Sequence, residues 1–159
     1  MTIGPGLNPT DIILNETESG PFDMRILLVD DNPIVRQTLV KYINRLKGIE
    51  IAGHAGTVQE ATRLMQTVQP DVAILDYKLI DGTAVEILTE LKNQGLEVIT
   101  LILTNYGTEP YRQVCTDAGA DYFYHKTHDF QRLFDQLEEI NRNNHFPMKQ
   151  EFERPSFIS

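Results

Sequence analysis

The sequence predicts an α/β fold, a five-stranded parallel sheet with helices on both of its faces. Short runs rich in Ile, Leu and Val alternate five times with amphipathic segments of helical length. Such alternation closes into a parallel sheet with right-handed crossovers. Several runs are almost continuously apolar, as strands covered on both faces must be. Length agrees: 159 residues, 41% hydrophobic and 23% charged, suffice for one domain that buries its own core without a disulfide or metal staple. The single cysteine, Cys115, excludes a disulfide framework and a zinc site built on several thiolates, and fits a reducing compartment.

Taken in order, the strands are expected at Arg25–Asp30 (RILLVD), Ile49–His54 (IEIAGH), Asp71–Asp76 (DVAILD), Glu97–Leu103 (EVITLIL) and Tyr122–His125 (YFYH). The intervening helices carry start and stop signals. Asn32-Pro33 offers an N-cap and a first-turn proline. Thr57-Val58-Gln59-Glu60 reads as a capping box. Gly119 is placed to end the fourth helix. In the fifth, Phe130, Leu133, Phe134, Leu137 and Ile140 form one apolar stripe. Residues 1–23, rich in Gly, Pro, Asn and Thr, read as a mobile leader before a domain at 24–142. Residues 143–159 read as a short tail without an output domain.

Charge narrows the partners. Lys and Arg total 14 against 23 Asp and Glu, a net charge of −9. The basic stripe expected of a nucleic-acid binder is missing. Residues 24–144 alone hold 17 acids and 12 bases, so the domain itself is acidic. No apolar run has the ~18 residues of a membrane helix, and no secretion signal is evident. The expectation is a cytoplasmic protein that engages neither nucleic acid nor membrane.

Ligands of an open parallel sheet bind outside the carboxyl ends of its strands. Strand one ends in Asp30-Asp31, strand three in Asp76 and strand four in Thr104, while Lys126 directly follows strand five. These groups converge if the strand order is 2-1-3-4-5. Three adjacent carboxylates repel unless a cation joins them. Mg²⁺, a hard ion with oxygen ligands, suits such a set and leaves room for phosphate oxygens. Taken singly, each residue has a plainer role as a helix cap, turn residue or solvated charge; together they point to phosphoryl chemistry.

On the segments ILLVDDNPIVR, VAILDYKLIDG, LILTN and AGADYFYHK, residues from Met24 to about Arg142 resemble a response-regulator receiver domain of bacterial two-component signalling. The resemblance implies a flavodoxin-like fold and assigns roles by position. Asp76 would be the phosphoacceptor. Asp30, Asp31, Asp76 and the backbone carbonyl of Lys78 would hold Mg²⁺. Lys126 would contact the phosphate, with Thr104 as the switch hydroxyl and Phe123 as the aromatic switch. The implied donor is a histidine kinase or phosphotransfer protein. On phosphorylation Thr104 would move to the phosphoryl group and Phe123 would turn inward, shifting the population between two packings.

Four positions depart from the commoner family pattern. Ile80 stands in place of a proline and Ala84 in place of a glycine. Asn105 replaces a small residue, and Thr127 a proline often preceded by a cis bond. A non-proline cis bond costs about 3 kcal/mol, so the loop after Lys126 is expected to be trans or strained. The Lys78 ammonium could shield a phosphoryl group or simply face solvent. The four histidines show no ligand spacing on one face.

The expected function is a single-domain phosphoacceptor that assists its own phosphorylation and dephosphorylation and turns over no external substrate. It would signal through phosphorylation-dependent protein contacts or onward phosphotransfer. One alternative is an adaptor that ignores phosphorylation, which would have no need of the acids. Another is a Mg²⁺-dependent phosphohydrolase of the haloacid-dehalogenase type, whose Asp-x-Asp after strand one is replaced here by Asp30-Asp31-Asn32.

Overall fold

The structure, a computed structural model, describes residues 24–106 and 108–143. Strand β1 (Met24–Val29) leads through α1 (Pro33–Ile43) to β2 (Ile49–Ala55), and α2 (Val58–Val68) leads to β3 (Val72–Leu75). After β3 comes a hairpin of two-residue strands, β4 (Lys78–Leu79) and β5 (Gly82–Thr83). Then follow α3 (Ala84–Asn93), β6 (Ile99–Thr104), α4 (Glu109–Asp117), β7 (Tyr122–His125) and α5 (Phe130–Asn143). The proposed leader, and the tail from residue 144 onward, lie outside the described residues.

The main sheet has the order β2-β1-β3-β6-β7, parallel throughout. This is the expected 2-1-3-4-5 order of the five long strands, with the small hairpin forming a ladder of its own. Side chains of a strand alternate between faces, and β1 divides its residues accordingly. Met24, Ile26 and Leu28 join Leu39 and Ile43 of α1 and Leu133, Phe134, Leu137 and Ile140 of α5 in one core. Leu27 and Val29 join Ala61 and Met65 of α2, Ile87 and Leu91 of α3, and Cys115 of α4 in the other. Helices therefore cover both faces. Each large aliphatic side chain so buried contributes about 1.5–3 kcal/mol.

The cap signals are realised with one rearrangement. The Asn32 side chain accepts from Ile34 N and Val35 N, and Gly119 takes the left-handed conformation, φ 112°, just past α4. At α2 the Thr57 hydroxyl accepts from Glu60 N, but the Glu60 carboxylate reaches Gly56 N instead of closing the reciprocal bond to Thr57 N. Helix α3 has a cap that the sequence reading did not foresee: Glu86 accepts from Thr83 N at 2.8 Å.

Strand boundaries shift by one or two residues everywhere except at β7 and at the start of β2. Asp71 lies before β3, where its carboxylate accepts from Arg25 N at 2.9 Å. Strand β6 begins at Ile99 rather than Glu97, because its ladder with β3 starts at Val72↔Ile99.

Candidate functional site

Four loops at the carboxyl edge of the sheet bring the site together. The parallel ladders align the ends of β1 and β3, Val29 opposite Leu75, and those of β6 and β7, Thr104 opposite His125. The residues just past these ends are Asp30, Asp76 and Lys126. Asp30, Asp76 and Thr104 are all buried, while Asp31 is more open to solvent. One carboxylate oxygen from each of Asp30, Asp31 and Asp76 lies within 4.8 Å of the others.

The Lys126 ammonium joins two of these acids, 2.7 Å from Asp30 Oδ2 and 3.0 Å from Asp76 Oδ2. The second oxygen of Asp30 accepts from Asn32 N at 2.8 Å, which fixes the carboxylate. Burial, then repulsion from Asp30, raises the Asp76 pKa from its ordinary value; Lys126 and a hydrogen bond from Thr104 act in the opposite direction and offset this only in part. For Lys126, burial alone would lower the pKa, but the bonds and charges of Asp30 and Asp76 outweigh it and the net shift is upward. One ammonium thus partly neutralises three carboxylates, and the set still has capacity for a cation.

The donors suit Mg²⁺: hard carboxylate oxygens, close together and incompletely neutralised. Asp30, Asp31 and Asp76 are the side chains brought together that could hold it.

Thr104, at the end of β6, is wholly buried and its hydroxyl accepts from Tyr106 N at 3.2 Å. Phe123 is buried, with the Arg112 guanidinium 4.8 Å from its ring centroid.

At the four unusual positions the backbone holds without strain. Ile80 stands 79% exposed at the hairpin tip. Ala84 is buried, and its N–H donates to the Tyr77 carbonyl at 2.8 Å. Asn105 is exposed. All peptide bonds among the described residues are trans. In the loop after Lys126, Asp129 accepts from His125 N at 2.9 Å and His125 Nδ1 accepts from Thr127 N at 3.1 Å, so side chains supply the closure that a proline provides elsewhere.

Three features escaped the sequence reading. The rings of His125 and His128 meet at 4.8 Å, folded together by the loop after β7. Tyr77, Tyr106 and Tyr111 form an aromatic cluster beside the acceptor. Asp81 reaches across to α2, accepting from Val58 N at 2.7 Å and Gln59 N at 3.1 Å. The tyrosine cluster and the Asp81 contact join residues from different loops, which spacing along the chain does not reveal.

Comparison with known proteins agrees with this geometry. Residues 26–138 match the family model of the response regulator receiver domain. The chain is 34% identical over 97 residues to the DNA-binding transcriptional activator DevR/DosR of Mycobacterium tuberculosis, covering 61% of this chain and 45% of that one. It is 31% identical over 106 residues to the protein-glutamate methylesterase/protein-glutamine glutaminase of Treponema denticola, covering 65% and 28%. The chain thus spans less than half the length of these two relatives. Among solved structures, a LuxR-family two-component response regulator from Aurantimonas sp. SI85-9A1 superposes with a TM-score of 0.71 at 27% identity, covering 84% of this chain and 98% of that one. With the strand order, the acid cluster and the family match in agreement, the chain belongs to the response-regulator receiver domains of two-component signalling.

Proposed function

We propose that this receiver accepts a phosphoryl group on Asp76 from a phosphohistidine of a kinase or phosphotransfer protein. The reading is carried by one observation: the buried Asp76 carboxylate lies within direct reach of a second buried acid's partner, the Lys126 ammonium, and of the Thr104 hydroxyl. Bound at Asp30, Asp31, Asp76 and the Lys78 carbonyl, Mg²⁺ would supply charge neutralisation on the phosphoryl oxygens. An Asp76 oxygen attacks phosphorus as the P–N bond to the donor imidazole breaks, and the electron pair leaves with the imidazole nitrogen. Lys126 exchanges its contact with Asp76 for one with a phosphoryl oxygen, and Thr104 donates to another. The product is an acyl phosphate on Asp76, and its hydrolysis resets the domain without turnover of an external substrate.

Signalling then runs through partners that distinguish the phosphorylated from the free domain, or through onward phosphotransfer. The DNA binding named for the mycobacterial relative belongs to that whole protein. The acidity of this domain supports protein partners over nucleic acid. No helix among the described residues is long and apolar enough to cross a membrane, in keeping with a cytoplasmic role.

The reading is tested by phosphate incorporation from phosphoramidate, followed by intact mass against time. Incorporation is expected to stop when EDTA removes Mg²⁺. Lys126→Ala is expected to slow it by about tenfold or more, as loss of one electrostatic contact to a transferring group does. Full incorporation in EDTA, or a Lys126→Ala rate equal to wild type, would count against the reading.

A further inference from the structure

The loop that carries the acceptor and the Lys78 carbonyl is tied at three points. At its base Ala84 N donates to the Tyr77 carbonyl. At its exit Thr83 N donates to Glu86. At its tip the Asp81 carboxylate leaves its own loop and accepts from Val58 N and Gln59 N, the first two N–H groups of α2. The third, Glu60 N, goes to the Thr57 hydroxyl. Helix N-termini carry N–H groups without intrahelical partners, and here two of them serve to hold a different loop.

The same end of α2 leans on the other acid-bearing loop. Just before the helix, Ala55 O accepts from Asp30 N at 3.0 Å, and a Cβ added to Gly56 would lie 3.7 Å from Asp31 Cα, so the segment that enters α2 runs beside the Asp30-Asp31 backbone. Gly82, next to Asp81, is fitted more tightly: a Cβ there would clash with the Glu86 carboxylate and lie 3.2 Å from Val58 Cγ2. The first turn of α2 and the residues just before it therefore stand between the two loops that carry the carboxylates.

We propose that Asp81 is a positioning residue, which fixes the spacing between the Asp76–Lys78 segment and the Asp30-Asp31 pair by clamping the acceptor loop to the N-terminus of α2. It touches neither phosphate nor cation. It acts through the loop, as partners outside the ligand shell set the geometry of the ligands themselves. The inference rests on the cation reading of the three acids.

The test is Mg²⁺ titration of the full chain, followed by amide NMR shifts, in wild type, Asp81→Ala, Asp81→Asn and Thr57→Ala. Thr57→Ala is the control, since it removes a cap from the same helix end but leaves the clamp intact. Asp81→Ala is expected to raise the Mg²⁺ dissociation constant by about tenfold, with Asp81→Asn, which keeps one acceptor oxygen, falling between it and wild type. Thr57→Ala is expected to lower the melting temperature while leaving Mg²⁺ affinity within about twofold of wild type. Equal loss of affinity in Asp81→Ala and Thr57→Ala would overturn the proposal, because Asp81 would then be a helix cap and nothing more. Wild-type affinity in Asp81→Ala would overturn it too. If Asp81→Ala does not fold, unchanged affinity in Asp81→Asn does the same. Wild type that binds no Mg²⁺ would remove the cation reading itself, and the inference with it.

Discussion

Burial, and then the charge of Asp30, holds the Asp76 pKa above its ordinary value of 3.8 despite the bond to Lys126. An acid whose pKa is raised by folding contributes stability that is present below the unfolded-state value and is lost as pH rises through the folded-state value. At neutral pH and without divalent cations, ionised Asp76 therefore opposes folding. Asp76→Asn is expected to melt above wild type at pH ~7 and to lose that advantage as pH falls toward about 4. Added Mg²⁺ should raise the wild-type melting temperature and narrow the gap. A variant that melts below wild type at neutral pH would mean that the Lys126 pair outweighs burial. At this scale much of the site was legible in the sequence, because Asp30, Asp76, Thr104 and Lys126 each stand at the end of a recognisable strand. Side-chain placement was not. That Tyr106 N donates to the buried Thr104 hydroxyl and that Phe123 is buried under Arg112 depends on packing between β6, β7 and α4, which no local pattern encodes.

Helix α5 shows how far periodicity reaches. Its stripe was read directly, and Leu133, Phe134, Leu137 and Ile140 are buried as that stripe requires. Leu137→Ala, at a fully buried position, is expected to cost about 2–5 kcal/mol, read as a lowered urea midpoint; a loss under about 0.5 kcal/mol would contradict its place in the core. Helix α4 presents Cys115 to the opposite core, where burial pushes the thiol up to about 11. Thiol reagents should accordingly modify Cys115 only as fast as the domain opens, with the rate rising as denaturant is added. Rapid modification of the native protein would contradict that burial. The hairpin β4–β5 was not anticipated, since two residues per strand give no alternation to read. The Glu86 cap was missed as well, because the bond that makes it, from Thr83 N to the Glu86 carboxylate, closes only once the hairpin before the helix has folded.

On the scale of the whole domain, the strand order turns five separate sequence signals into one site. Only with β1 paired to β3, β3 to β6 and β6 to β7 do the acids meet the lysine that follows β7. Alternating strands and helices predict a parallel sheet from the sequence alone. The order in which the strands pair followed from the family resemblance, since pairing is decided by long-range packing and not by composition. The same order brings the β2–α2 junction beside the Asp30-Asp31 loop, and Asp81 engages the first N–H groups of α2. The most direct measurement of the acceptor chemistry is intact-mass analysis after incubation with phosphoramidate and Mg²⁺, comparing wild type with Asp76→Ala. Wild type should gain one phosphoryl group, mapped to Asp76, and Asp76→Ala none. Equal incorporation by both proteins, or none by wild type even from a phosphorylated histidine kinase, would contradict the assignment of Asp76 as the acceptor.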